Sequence, residues 1–283
     1  MNPVVIAIAL GILGTSVIHL SKGLMAYGLS SKPRKAKRLV YSLGILLNFT
    51  NPLWVVLANR FAPTPYYTSV YGFGLIPLLV FSYLVLHQRF SKAQLLSTVL
   101  IVCGTILLGY SQVISEVPSM YTPDPTGIVT FASLWLLVMP LILVGMKSLR
   151  LPVQEVAFGL AAGGMAALDA VIKGVAQTSQ IGSTYLPVTT LGWFLFLGSF
   201  LGALGAFVLI QWSYLRQCRP SIMGGVYDVS YTAMPLLLLA GFQNYPIRSP
   251  LLVVGFTLLL LGVILSLDLS TKPSLDSGLR KDP

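Results

Sequence analysis

Nine long apolar runs, separated by short polar or basic stretches, set the pattern of this chain. They fall over Pro3–Gly28, Leu39–Asn59, Pro65–Leu86, Ala93–Gln112, Gly127–Met146, Val153–Gln177, Leu191–Tyr214, Ser221–Phe242 and Pro250–Leu267. Each is near the ~20 residues a helix needs to cross the hydrocarbon core of a bilayer. Backbone groups facing lipid must be satisfied within their own segment, so the runs predict helices. The expected fold class is an all-α polytopic membrane protein of about nine transmembrane helices.

The runs are not independent. Shifted by 158 residues, Leu39–Gly109 falls on Leu197–Leu267 without a gap, with fifteen identities in seventy-one positions. Trp54 meets Trp212, Pro77 meets Pro235, Phe49 meets Phe207, Gly44 meets Gly202 and Gly104 meets Gly262. Lys22-Gly23 of the first run aligns with Lys173-Gly174 of the sixth. Two four-helix repeats joined by one linking helix are therefore expected. Residues 1–112 form the first repeat and 113–150 an outer loop with the linking helix. Residues 151–269 form the second repeat and 270–283 a cytoplasmic tail. The unpaired fifth run makes the second repeat start from the opposite face. The repeats are then inverted, with a pseudo-two-fold axis in the membrane plane.

Composition narrows the class further. The chain is 55% hydrophobic and 9% charged, against roughly 25% charged residues in a soluble domain. The net charge of +10 does not point to nucleic acid, because the basic residues sit in short connections between apolar runs. Fourteen of the eighteen Lys and Arg residues fall on one side: Lys32, Arg34, Lys35, Lys37, Arg38, then Arg89, Lys92, Lys147, Arg150, Arg216, Arg219, and Lys272, Arg280 and Lys281 of the tail. Arg60 and Arg248 fall on the other. This bias predicts an N-terminus outside and a C-terminus in the cytoplasm. The short loops suit a multi-pass protein of a bacterial or archaeal inner membrane. The connector Val113–Thr126, with Pro118, Pro123, Pro125, Glu116 and Asp124, reads as solvated, and the tail after Leu269 as disordered. Met1-Asn2-Pro3 lacks the basic start of a cleavable signal. Cys103 and Cys218 are too far apart for a metal or redox motif. No GxxxxGK[ST] loop or HExxH motif is present, so the chain reads as neither an ATPase nor a metalloprotease, and as no enzyme and without cofactor.

The first run carries Leu10-Gly11-Ile12-Leu13-Gly14-Thr15-Ser16 and ends in Ser21-Lys22-Gly23-Leu24, followed by the basic loop. The sixth runs from Gly159-Leu160-Ala161-Ala162-Gly163-Gly164 to Ile172-Lys173-Gly174. In these features the chain resembles the drug/metabolite transporter superfamily, which includes the EamA-type exporters. Its nine-run layout looks most like the NIPA-type magnesium transporter branch. The resemblance implies a small carrier with a central cavity between inverted halves. It implies substrates ranging from amino acids, drugs and nucleotide sugars to magnesium.

Polar residues found in one repeat only are the candidates for chemistry. Asp228 faces Val70 in the alignment; an ionised Asp at mid-helix costs about 2.5–3.5 kcal/mol on insertion scales, so it needs a wet cavity or a partner. Asn48, Thr50 and Asn51 flank Pro52, which frees a backbone carbonyl at mid-membrane. Asp169 lies one turn before Lys173, as a self-neutralising pair or a cavity-facing acid. Asn48, Asn51, Asp169 and Asp228 are the candidate substrate- or ion-binding residues. Asp169 and Asp228 would be metal ligands if the substrate is a cation. His19, Lys22 and Lys173 are candidates for gating or charge modulation, and the two lysines alternatively for binding an anionic group. The two lysines are also read as snorkelling to the interface, and His19 as a helix–helix hydrogen bond. Glu155 suits the start of its helix. Tyr66, Tyr67, Tyr71, Tyr227, Tyr231, Trp54 and Trp212 read for the most part as packing or interfacial belts, with the lining of a cavity for aromatic or amide-bearing solutes as the alternative. Gly198-x-x-x-Gly202-x-x-Gly205, Gly11-x-x-Gly14 and Gly159-x-x-x-Gly163 read as close helix crossings.

The function expected is solute transport by alternating access, with Mg²⁺ or another cation, or a small polar organic metabolite or drug-like solute, as cargo. A lipid-binding or accessory subunit is the competing class. The expected partners are that solute and membrane lipids, with a homodimer left open and nucleic acid excluded.

Overall fold

The computed structural model describes residues 3–29, 35–88, 90–114, 125–145, 150–179, 182–243 and 249–266. Lys32, Arg34, Arg89, Lys147, Arg248, Glu116, Asp124, Pro118, Pro123 and the tail with Lys272, Arg280 and Lys281 lie outside them.

The elements are α1 (Pro3–Leu29), α2 (Lys35–Asn48), α3 (Asn51–Asn59), α4 (Thr64–Thr68), a 3₁₀ turn (Tyr71–Gly74), α5 (Leu75–Leu84), α6 (Lys92–Ile114) and α7 (Pro125–Gly145). Then come α8 (Leu151–Gln177), a two-residue antiparallel pair β1 (Thr178–Ser179) and β2 (Gly182–Ser183), α9 (Thr190–Leu215), α10 (Pro220–Gln243) and α11 (Pro250–Ser266). Among the described residues, seven helical segments are long and apolar enough to cross a membrane. The apolar stretches of two more, Thr126–Met139 and Pro250–Leu265, are shorter. The chain is a multi-pass helical membrane protein; of the nine spans expected, seven are long and apolar enough to cross a membrane among the described residues. Helices α7 and α11 stand where the other two are expected, and α11, with 17 residues at 1.5 Å per residue, is ~25 Å long, just under the ~30 Å hydrocarbon core.

Local chemistry explains the helix ends. Ser91 and Gln94 form a reciprocal box at the start of α6. The Ser91 N–H donates to Gln94 Oε1 (3.0 Å), and the Gln94 N–H donates to Ser91 Oγ (3.2 Å). Thr189 Oγ1 accepts from the Gly192 N–H at the start of α9 (3.0 Å). The second span breaks at Phe49–Thr50, because Pro52 lacks an N–H and is accommodated only in the first turn of α3. The third span, expected to be continuous, is broken as well: α4, the 3₁₀ turn and α5 follow one another. Pro77 thus sits in the first turn of α5 and does not kink a helix interior, whereas Pro235 lies inside α10.

α10 and α8 form the centre. Their apolar windows are 88% and 78% buried, against 17% for the α2–α3 span, whose Leu39, Leu46, Leu53 and Phe49 face outward as lipid-facing side chains do. Small residues bring the backbones together. A Cβ on Gly163 of α8 would lie 2.3 Å from the Tyr227 carbonyl oxygen of α10, and one on Gly202 of α9 would lie 2.7 Å from that of Met165. Gly198, expected at the same α9 crossing, is exposed and has open space around it. A glycine repeat fixes a face of the helix, not how far along that face the neighbour extends.

Contacts between the two halves are reciprocal. A Cβ on Gly104 (α6) would meet the Gly255 carbonyl and Leu259 of α11, and one on Gly262 (α11) would meet the Ser97 carbonyl and Ile101 of α6. Each of Gly255, Leu259 and Gly262 lies 158 residues after Ser97, Ile101 and Gly104 respectively. Phe49 and Phe207, separated by the same 158 residues, touch each other with ring centroids 5.4 Å apart.

Candidate functional site

The most polar part of the core joins α1 to α10. His19 and Asp228, both fully buried, meet at 2.7 Å between Nε2 and Oδ1. The other ring nitrogen fixes the tautomer. Thr15 Oγ1 donates its hydrogen to the Tyr71 carbonyl at 2.6 Å, so this hydroxyl has no hydrogen left for His19. His19 Nδ1 lies 2.8 Å from the Thr15 carbonyl and 3.1 Å from Thr15 Oγ1. Both can only accept there, so Nδ1 carries a hydrogen. With Nδ1 as the donor, the Nε2 lone pair faces the carboxylate at 2.7 Å, so the two groups can share one further proton. With that proton the dyad is imidazolium with carboxylate or neutral imidazole with carboxylic acid, and is neutral overall.

Room for this ring comes from the broken third span. A Cβ on Gly74 would lie 2.2 Å from His19 Nδ1 and 2.4 Å from Thr15 Oγ1. Tyr71 lies edge-on to the imidazole, with centroids 5.3 Å apart.

One turn along α1 stands Lys22, and it does not snorkel. Its side chain is fully buried, and Nζ has no hydrogen-bond partner among the described residues. The ammonium rests 3.4 Å from the centroid of the Tyr227 ring and 5.8 Å from that of Tyr71. The second carboxylate oxygen of Asp228, Oδ2, is buried and without a hydrogen-bond partner as well. The tyrosines form no belt: Tyr67, Tyr71, Tyr227 and Tyr231 pack as one buried cluster, with Tyr71 and Tyr231 centroids 4.1 Å apart. Asn51 Oδ1 accepts from the hydroxyls of Tyr67 (3.3 Å) and Tyr71 (3.4 Å), which ties the break in the second span to this cluster. Asn48 lies further out and accepts from Ser21 Oγ at 3.4 Å.

Asp169 and Lys173 form their ion pair one helical turn apart on α8, both buried, with the ammonium also 4.0 Å from the Phe200 ring centroid. Neither reaches the interface, so the snorkelling expected of Lys173 does not occur either. Lys22 meets Tyr227 of α10, whereas Lys173 meets Phe200 of α9. As for metal ligation, each of Asp169 and Asp228 faces a nitrogen side chain, and no group of three or more His, Cys, Asp or Glu converges among the described residues.

Three polar contacts between helices were not legible in the sequence. Gln177, at the end of α8, is fully buried. Its Nε2 donates to the carbonyls of Val56 (3.1 Å), Thr184 (3.0 Å) and Tyr185 (3.2 Å), and its Oε1 accepts from Asn59. Tyr41 donates to Gln211 Oε1 (3.0 Å) between α2 and α9. Glu155, expected to serve the start of its own helix, instead takes a two-pronged contact from Arg219. Oε1 accepts from the Arg219 backbone N–H (2.8 Å) and Nε (2.9 Å), and Oε2 from a terminal nitrogen (2.8 Å). The carboxylate is fully buried and the guanidinium partly open. Breaking such a pair by removing one partner costs about 3–5 kcal/mol. Glu155→Ala is therefore expected to lower the thermal unfolding midpoint in detergent by many degrees and Glu155→Gln by less. Cys218 lies beside it, outside the spans. Burial, reinforced by the Glu155 carboxylate, pushes its thiol up to about 12, so it stays protonated and unreactive at neutral pH.

Comparison with known protein families, with curated proteins and with solved structures finds no match for this chain.

Proposed function

We propose that this protein is a proton-coupled carrier that moves a small solute by alternating access, with His19 and Asp228 as the proton-holding pair. The observation that carries this reading is the His19–Asp228 contact: a buried dyad placed to share one proton, bridging α1 and α10 from different halves of the chain. A proton buried this way has no structural need, since an apolar pair of similar volume is often as stable or more so. The reciprocal α6–α11 contacts and the Phe49–Phe207 contact support two inverted halves related by a pseudo-two-fold axis, the layout expected from the resemblance to the drug/metabolite transporter superfamily. Halves of this kind rock around a site near the midplane. In this reading Asn51 and the tyrosine cluster line that site, with Lys22 beside it.

A magnesium carrier is the weaker reading. Mg²⁺ is usually held by one or two carboxylates together with several waters. Here Asp228 is engaged by His19 with Lys22 nearby, and Asp169 by Lys173. The test uses purified protein in liposomes loaded with a pH-sensitive dye. Adding one member of a panel of metabolites is expected to change the internal pH, whereas Mg²⁺ gives no change. Magnesium uptake without proton movement would favour the cation carrier. Lipid binding with no flux of any solute would favour the accessory-subunit class.

A further inference from the structure

The charges around the dyad do not balance, and the imbalance points to the cargo. Lys22 carries a buried ammonium with no hydrogen bond among the described residues. Lys173 has Asp169 one turn before it, but Lys22 has Ile18 at that position. The dyad and Lys22 meet aromatic rings: His19 lies edge-on to Tyr71, and the Lys22 ammonium faces the rings of Tyr71 and Tyr227, with Tyr67 and Tyr231 packed against these. The further carboxylate of the region, Asp169 of α8, is matched by Lys173. With the proton present, His19 and Asp228 together are neutral, so the core carries the unmatched charge of Lys22. With the proton gone, the Asp228 carboxylate matches Lys22 and the core is neutral.

Burying an unmatched charge is costly, and moving one through the bilayer more so. Two states of the site avoid that cost: empty and deprotonated, or protonated with one anion bound. We infer that Lys22 is the receptor for the carboxylate of a small monocarboxylate solute, which crosses together with the one proton held by His19 and Asp228. The Tyr227 ring face, against which the ammonium lies, occupies the position the carboxylate takes on binding. This rests on the proton-coupled carrier reading. It adds the charge of the cargo and a coupling of one proton per anion, with the proton passing to the His19–Asp228 pair and leaving with the solute.

The test is titration calorimetry of the full-length protein in detergent with L-lactate, pyruvate and gluconate, each compared with its uncharged amide. Repeating it in two buffers of different ionisation heat reads the protons taken up on binding. The expected result is that at least one acid binds well above its amide and takes up about one proton per anion. Lys22→Met is expected to weaken that acid by roughly tenfold or more, with Lys22→Arg retaining most of the affinity. Both variants are checked for wild-type elution as a single species. Acids that bind no better than their amides, binding without proton uptake, or an unchanged affinity in Lys22→Met would each overturn the carboxylate assignment. If neutral or cationic solutes drive pH changes in liposomes regardless of Lys22, the carrier stands and this assignment falls. If no solute binds or moves protons, both fall.

Discussion

Asp228→Asn is expected to reduce solute-driven proton movement in liposomes to the level of protein-free vesicles, while the protein remains folded. The amide matches the carboxylate in shape and can still face His19 Nε2 across 2.7 Å, so packing between α1 and α10 survives. What is lost is the second proton site. Asparagine does not exchange a proton with the imidazole, and Lys22 loses the nearest carboxylate that matches its charge. Stability is expected to fall as well, because removing one member of a buried charge set costs about 3–5 kcal/mol. The double variant Asp228→Asn with Lys22→Met separates the two effects. It removes the stranded ammonium, so thermal stability is expected to recover toward wild type without any return of proton movement. The two sites interact directly, and the deficit from additivity measures that interaction. Wild-type proton flux in Asp228→Asn would remove the dyad from the transport mechanism.

The second large effect is steric. Gly74→Ala is expected to lower thermal stability and to abolish coupled flux, although the site lies on neither α1 nor α10. Its backbone, at φ −65° and ψ −19°, suits any L-residue, so the cost does not arise from conformation. It arises from the added methyl, which would sit 2.2 Å from His19 Nδ1 and 2.4 Å from Thr15 Oγ1. Neither atom is the loose end of a flexible chain. The imidazole is pinned by Asp228 on one side and the Thr15 carbonyl on the other. Overpacking of this kind costs about 1–3 kcal/mol, and any relief moves the ring off Asp228. Gly198→Ala is the control. Nothing lies within 4 Å of its added Cβ, and alanine is the better helix former, so stability is expected to hold or rise slightly. Equal losses in the two variants would contradict the close packing of the 3₁₀ turn on His19.

The bundle was largely legible in the sequence because lipid leaves the backbone few options. Apolar runs of sufficient length fix the helices, and α1, α6, α8, α9 and α10 lie within a few residues of the runs that predicted them. The Pro52 break was legible for the same local reason: a missing N–H needs no knowledge of neighbours. The break at Tyr71–Gly74 was not, since its run is as apolar as an intact span. Only the arrival of Thr105 from α6 gives Gly72 its use, and that of His19 and Thr15 from α1 gives Gly74 its own. Broken symmetry between the repeats singled out Asp228, and His19 was chosen with it, but their meeting spans 209 residues of sequence. The lysines illustrate the limit most clearly. Position near a helix end predicted snorkelling, yet tertiary packing buries both, one against a carboxylate of its own helix and the other against a tyrosine face.

Cysteine labelling at Asn51, which touches the tyrosine cluster and sits at the helix break, bears most directly on alternating access. The background is low: Cys218 is buried with its thiol protonated, and Cys103, exposed on a helix, is replaced by serine. Asn51→Cys in sealed membrane vesicles of each orientation is treated with a membrane-impermeant thiol reagent. The account requires labelling from both faces, with a solute that drives proton flux raising the rate from one face and lowering it from the other. Labelling from neither face, or from one face alone at a rate that no solute alters, would contradict it.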